Sequence, residues 1–160
     1  MALKILVVDY HNEQQARDLV MLLDAYAQDP MGGGSPLSDT CRAQLVSKLA
    51  TLSYGFSLLA YADGEPVGFA NCFEGFSTFA CQPLINIHDI AVLQSHRGTG
   101  VSKCLLEAIE SIAKQKGCCK ITLEVLSNNE RAQSVYKKFG FADYALDPDA
   151  GTALFWQKKL

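Results

Sequence analysis

The sequence predicts an α+β domain, a mixed α/β sheet in which most strands run antiparallel. Three observations carry this. A hairpin signal occupies the middle of the chain, with strands on both sides of Asp63-Gly64. A strand-helix-strand crossover fills the second half, where Thr99 to Lys116 separates two β-rich runs. Two helices follow one after the other near the start. This order does not fit a doubly wound parallel sheet.

The elements read in order as follows. "LKILVVD" (3–9) is rich in β-branched residues and reads as a strand. Ala16, Leu19, Val20, Leu23 and Ala27 then recur at helical spacing. Asn12, with Gln15 three residues later, resembles a capping box. "QDPMGGGSP" (28–36) ends that helix. A second helix starts at Ser38 or Asp39 and carries Leu45, Val46, Leu49 and Leu52. "FSLLAYADGEPVGFANCFE" (56–74) is the hairpin, with Pro66 placed at a strand start. "LINIHDIAVL" (84–93) is another strand. Alternation along it puts Asn86, His88, Ile90 and Val92 on one face and Asp89 on the other.

Val101, Leu105, Ile109, Ile112 and Ala113 form the stripe of the next helix, which Gly117 stops. "CKITLEVL" (119–126) is a strand. "SNNERAQSVYKKF" (127–139) is a helix capped by Ser127 or Asn128 and stopped by Gly140. "FADYAL" (141–146) and "ALFWQKKL" (153–160) read as two closing strands, with Trp156 in the core or at an interface. The sum is one domain over residues 1–160, with about six to seven strands and about four helices.

Composition excludes several classes. With 49 % hydrophobic and 19 % charged residues, the chain has ample apolar surface to bury and does not read as disordered. A net charge of −3 argues against nucleic-acid binding, which asks for a basic face. No apolar run approaches the roughly 18 residues of a membrane span, and Ile5 to Val8 is too short for a signal peptide. The expectation is a cytoplasmic protein with no membrane contact. Its six cysteines then read as free thiols, with Cys72, Cys81 and Cys104 as packing residues. No C-x-x-C pair occurs and the histidines lack zinc spacing, so no metal is expected.

The chemistry concentrates in "HRGTGVSKCLLEAI" (96–109). A glycine turn opening a helix presents unpaired N–H groups and the positive end of the helix dipole. Gly98 and Gly100 allow close backbone approach, and Arg97 offers charge-assisted contacts to a phosphate. The segment lacks the glycine placement of a P-loop. It also lacks the third glycine of a dinucleotide fingerprint, because Lys103 stands there.

In its wider frame, "HDIAVLQSHRGTGVSKCLL" resembles the acetyl-CoA-binding segment of the GNAT superfamily of N-acetyltransferases, [QR]-x-x-G-x-[GA] at a strand-to-helix turn. Here it reads Arg97, Gly98, Thr99, Gly100, Val101, Ser102, with Ser102 where Gly or Ala is usual. "ITLEVLSNNERAQSVYKKFGF" resembles the family's later segment, with Asn129, Ala132, Tyr136 and Gly140-Phe141 at matching places. The element order agrees over nearly the whole chain.

The resemblance implies a GNAT-like fold and acetyl transfer from acetyl-CoA to a primary amine, either a small amine or a peptide or protein amine. It implies that the main chain of Ile90, Ala91 and Val92 holds the pantetheine arm and that Arg97 to Ser102 holds the pyrophosphate. Tyr136 matches the family's general acid, and Asn129 matches a cofactor contact. Glu124 and His88 are both candidates for the base, and a water chain stands beside them. A homodimer is left open, since relatives often form one. Two other readings stay in view: a non-catalytic CoA-binding or regulatory module, and a nucleotide-binding protein.

Overall fold

A computed structural model describes residues 1–144 and 147–160. The elements are β1 (Leu3–Val7), α1 (Glu13–Gln28), α2 (Asp39–Leu49), β2 (Gly55–Ala62), β3 (Glu65–Ser77), β4 (Gln82–Val92), α3 (Val101–Gln115), β5 (Ile121–Leu123) and α4 (Glu130–Phe139). The strands form one sheet in the order β1-β2-β3-β4-β5. The first four run antiparallel to their neighbours, and β5 joins β4 in parallel.

Helix ends follow the sequence closely. The Asn12 side chain accepts the N–H groups of Gln14 and Gln15, while Gln15 Oε1 accepts from Asp9 N rather than completing the box. Ser38 caps α2 through Cys41 N. The cap of α4 is Asn129, one or two residues later than the sequence suggests. The β2–β3 turn is made by Asp63 and Gly64, both in the left-handed region as a two-residue hairpin asks.

The sheet has two apolar faces, each with its own layer of helices. One face packs Leu58, Ala70, Cys72, Ile85 and Ile87 against Leu105, Leu106 and Ile109 of α3. The other packs Leu59 and Phe69 against Leu19 and Leu22 of α1 and Leu49 of α2.

Three expectations are corrected. Among the described residues the sheet has five strands, not six or seven. β5 is only three residues long, and no strand forms over 141–144 or 153–160 among the described residues. Residues 145 and 146 of the expected "FADYAL" strand lie outside the described residues. An apolar run makes a strand only when a ladder partner receives it, and residues 153–160 have none among the described residues. Trp156, expected in the core or an interface, is 82 % exposed. Cys81, read as packing, is exposed.

Candidate active site

The site begins where β4 and β5 part. Their pairing is confined to Ile85 with Ile121, Asn86 with Thr122 and Ile87 with Leu123. β4 then runs on to Val92 while β5 stops. From His88 to Val92, the edge of β4 that faced β5 has no strand partner among the described residues. Unpaired main-chain donors and acceptors in such a gap must be met by water or a ligand.

A β-bulge sits at the same place. Asn71 lies opposite Asp89, but Cys72 lies opposite Ile87, so His88 is an extra residue on β4. The bulge resets the alternation. Ile85 and Ile87 before it, and Ile90 and Val92 after it, all join the α3 face. His88 and Asp89 both line a cavity on the other face. The expected grouping of His88 with Ile90 and Val92 is therefore wrong, and so is the assignment of Asp89 to the opposite face. One inserted residue turns two consecutive polar side chains into the same space.

Asp89 ends a row of hydrogen bonds that crosses three strands. Asn71 Nδ2 donates to Asp89 Oδ2 at 2.9 Å. Ser57 Oγ donates to Asn71 Oδ1 at 2.6 Å, and Tyr10 Oη lies 2.8 Å from Ser57 Oγ. Ser57 and Asn71 are almost fully buried, so these bonds replace lost water. The cavity beside Asp89 is about 360 Å3, open to solvent on one side and walled by α1, α2 and the loop between them. Gly32 of that loop lies against the end of α1, where a Cβ would stand 1.9 Å from the Tyr26 carbonyl oxygen.

At the far end of β4 the chain turns into α3. Gly98 and Gly100 adopt φ of +83° and +94°, and Gly100 caps α3 with no side-chain hydrogen bond. The first-turn N–H groups of a 15-residue helix thus stay open beside left-handed glycines. This is chemically a cradle for an anion. Arg131 of α4, which sequence reasoning missed, brings Nη2 to 3.7 Å from where a Cβ on Gly98 would stand.

Arg97 Nη2 donates to Asp29 Oδ2 at 2.7 Å, and its Nε donates to the Val92 carbonyl at 3.1 Å. These two bonds tie the end of β4 to the end of α1. The guanidinium bond, with the Met31 N–H next, holds the Asp29 carboxyl below its usual pKa.

Tyr136 packs edge-on against Phe141, with ring centroids 5.9 Å apart. Burial pushes its phenol up to about 12, with a further contribution from Tyr26. Tyr26 in turn is raised by burial and then by the charges of Asp89 and Asp29. The Tyr26 phenol is thus within electrostatic reach of both Tyr136 and Asp89. Glu124 follows directly after β5, is exposed and is not part of the cavity wall. Asn129 uses its side-chain oxygen to cap α4 through Ala132 N at 3.2 Å. Among the described residues no cluster of three or more His, Cys, Asp or Glu is arranged to hold a metal ion. Among them, too, no helix is long and apolar enough to cross a membrane.

Comparison with known proteins agrees with this geometry. The model of the acetyltransferase (GNAT) family matches residues 19–141, and the chain belongs to that family. It is 30 % identical over 118 residues to a streptothricin acetyltransferase of Streptomyces lavendulae, covering 74 % of this chain and 57 % of that one. It is 33 % identical over 87 residues to a thialysine N-epsilon-acetyltransferase of Bos taurus, covering 51 % of each. The matches thus span little more than half the length of these curated relatives. Among solved structures, a probable acetyltransferase superposes with a TM-score of 0.80 at 21 % identity, over 98 % of this chain and 99 % of that one. AAC(6')-Iy in complex with the bisubstrate analogue CoA-S-monomethyl-acetylneamine superposes with a TM-score of 0.77 at 21 % identity, over the whole of both chains. These two share the fold.

Proposed function

We propose that this protein is an acetyl-CoA-dependent N-acetyltransferase that moves an acetyl group to a primary amine by direct attack on the thioester. One observation carries the reading. The unpaired stretch of β4 leads from the His88–Asp89 cavity straight to the open N-terminus of α3. A ligand with an extended arm and a pyrophosphate fits that path. The main chain of Ile90, Ala91 and Val92 would hold the arm, with Val92 keeping its carbonyl on Arg97. The main chain of Arg97 to Ser102 would hold the pyrophosphate, with Arg131 adding charge. Acetyl-CoA supplies an activated acetyl thioester. The named amine acetyltransferases among the relatives support an amine as acceptor.

The chain's own groups then have clear tasks. His88 faces the cavity and takes the proton the amine loses as its nitrogen bonds the acetyl carbon. A main-chain N–H near Ile90 or Val92 steadies the carbonyl oxygen. Tyr136 keeps its proton through the neutral range and passes it to the departing sulfur as the C–S bond breaks, after which solvent returns a proton to the phenol and takes the one held by His88. An acceptor that arrives as an ammonium first releases one proton to solvent; the neutral amine then gives up one proton and the departing thiol gains one, so one proton is released per turnover. Glu124 is the second choice as base, because it stands outside the cavity wall.

The test is a thermal-shift comparison of acetyl-CoA, CoA, ATP and NAD, followed by thiol release with an amine panel. Saturation at about 100 times Kd adds about 2.7 kcal/mol, enough to raise the melting point by several degrees. Stabilisation by acetyl-CoA and CoA, with thiol release, is the expected result. Stabilisation without turnover on any amine would identify a CoA-binding module instead. A response to ATP or NAD alone would reject both.

A further inference from the structure

The cavity beside His88 and Asp89 has a marked division of character. Its walls are apolar, built by Leu23, Tyr26, Leu45, Leu49 and Phe73. At about 360 Å3 it lies near the small end of ligand pockets, which run from roughly 300 to 1,000 Å3. The acidic residues around its rim are already matched. Asp24 accepts the Leu37 N–H at 2.8 Å and Arg42 Nη1 at 3.4 Å, and Asp29 holds Arg97. Asp89 is the carboxylate in the wall itself, and among the described residues no cationic side chain pairs with it.

The row of hydrogen bonds behind Asp89 has one direction. Asn71 must turn its amide N–H to the carboxylate, because its oxygen there would face another acceptor. Its Oδ1 then faces Ser57, which must donate its single proton to it. Ser57 Oγ is left to accept from Tyr10. All three donors point toward Asp89, which fixes its position.

We propose that the acceptor is a primary amine with one positive charge on a small apolar body, and that Asp89 is the residue that selects it. The identification of this cavity as the acceptor site rests on the acetyltransferase reading. Asp89 receives the ammonium group, and the apolar walls receive the rest. A polycation such as a polyamine or an aminoglycoside would press further ammonium groups against Leu and Phe side chains with no counterion. Such unpaired burial is heavily penalised.

The test is calorimetric titration of the full chain with 2-phenylethylamine, spermidine and kanamycin, each with and without CoA. The expected result is saturable binding of 2-phenylethylamine at least about tenfold tighter than either polycation, a gap equivalent to about 1.4 kcal/mol. Asp89→Asn should weaken it by about tenfold or more. Equal or tighter binding of spermidine or kanamycin overturns the inference, and so does an unchanged affinity in Asp89→Asn. Absence of binding for all three amines overturns it as well. Should Asp89→Asn fail to fold, Leu45→Glu carries the test by placing a second carboxylate in the wall. It should move the preference toward spermidine by about tenfold, and an unchanged ratio counts against the proposal. Acetyl-CoA is titrated in the same series. Amine selectivity without acetyl-CoA binding would remove the transferase reading and leave the amine site standing. Acetyl-CoA turnover with kanamycin preferred would do the reverse.

Discussion

Arg97 holds Asp29 at 2.7 Å across 68 residues of sequence, joining the loop before α3 to the C-terminal end of α1. The same guanidinium holds the Val92 carbonyl, so one side chain ties the proposed phosphate turn to the border of the proposed acceptor cavity.

This tie should be visible in acid. The Asp29 carboxyl is held below its ordinary value, so the folded state binds its proton less readily than the unfolded state. Its contribution is therefore complete above the ordinary aspartate range and is lost as pH falls through the lowered folded value. Asp29→Asn should lower stability by about 1 kcal/mol near neutral pH. The difference from the native chain should shrink below about pH 4. Urea unfolding of both proteins at several pH values checks it.

Ser57 is the middle of the buried row. Ser57→Ala leaves Asn71 Oδ1 without its donor and should lower stability by about 1–3 kcal/mol. Because it also loosens the orientation of Asp89, the KM for the amine should rise while that for acetyl-CoA stays within about twofold. Equal changes in both would mean a general loss of structure.

Tyr136→Phe tests the proposed acid. Phenylalanine keeps the packing on Phe141, so stability near pH 7 should change by less than about 0.5 kcal/mol. kcat in thiol release should fall by about 100-fold, within the range of general acid contributions. The raised phenol also has a signature in alkali. Its stabilising share is whole below about pH 10 and is lost as pH climbs toward the folded value of about 12. The native chain should therefore lose stability relative to the Phe variant above about pH 10.

Gly32→Ala puts a methyl group 1.9 Å from the Tyr26 carbonyl oxygen and 2.8 Å from its carbon. Backbone must move, which should cost about 1–3 kcal/mol and displace one wall of the cavity. Gly64→Ala meets no atom within 4 Å but requires a positive φ, so it should affect the distant hairpin and leave amine binding intact. Melting curves with amine titrations separate the two.

The thiols should react in a fixed order. Cys81 and Cys119 are exposed, whereas Cys72 is buried and pushed up to about 12, chiefly by burial. Timed alkylation read by mass spectrometry should mark the first two early and Cys72 only on unfolding.

The parts legible in the sequence were those fixed by local rules. The glycine turn before α3, the α3 stripe, the Asp63-Gly64 hairpin and the stop at Gly140 all depend on neighbours in the chain. What escaped depends on partners far away. Nothing local marks a bulge at His88, which has no glycine or proline and is defined only by the register against Asn71 and Cys72. That single slip hid Asp89. Nothing in the sequence marks Asp29, 68 residues away, as the partner of Arg97. A signal for the buried row was present, since Ser57 and Asn71 each interrupt an apolar run, Phe56 to Leu59 and Val67 to Phe73, a pattern that demands buried partners. The apolar run at 153–156 misled because a strand needs an edge to join.

The extra residue on β4 also makes chain length a functional variable. Removing His88 altogether would let Ile87 and Asp89 face Cys72 and Asn71 in an uninterrupted ladder. The carboxylate would keep its place and its amide partner, while the imidazole would vanish without leaving a hole. On the proposed chemistry, the shortened chain would still recognise its amine through Asp89 but would lack the imidazole that takes its proton. A one-residue deletion would convert a catalyst into a receptor.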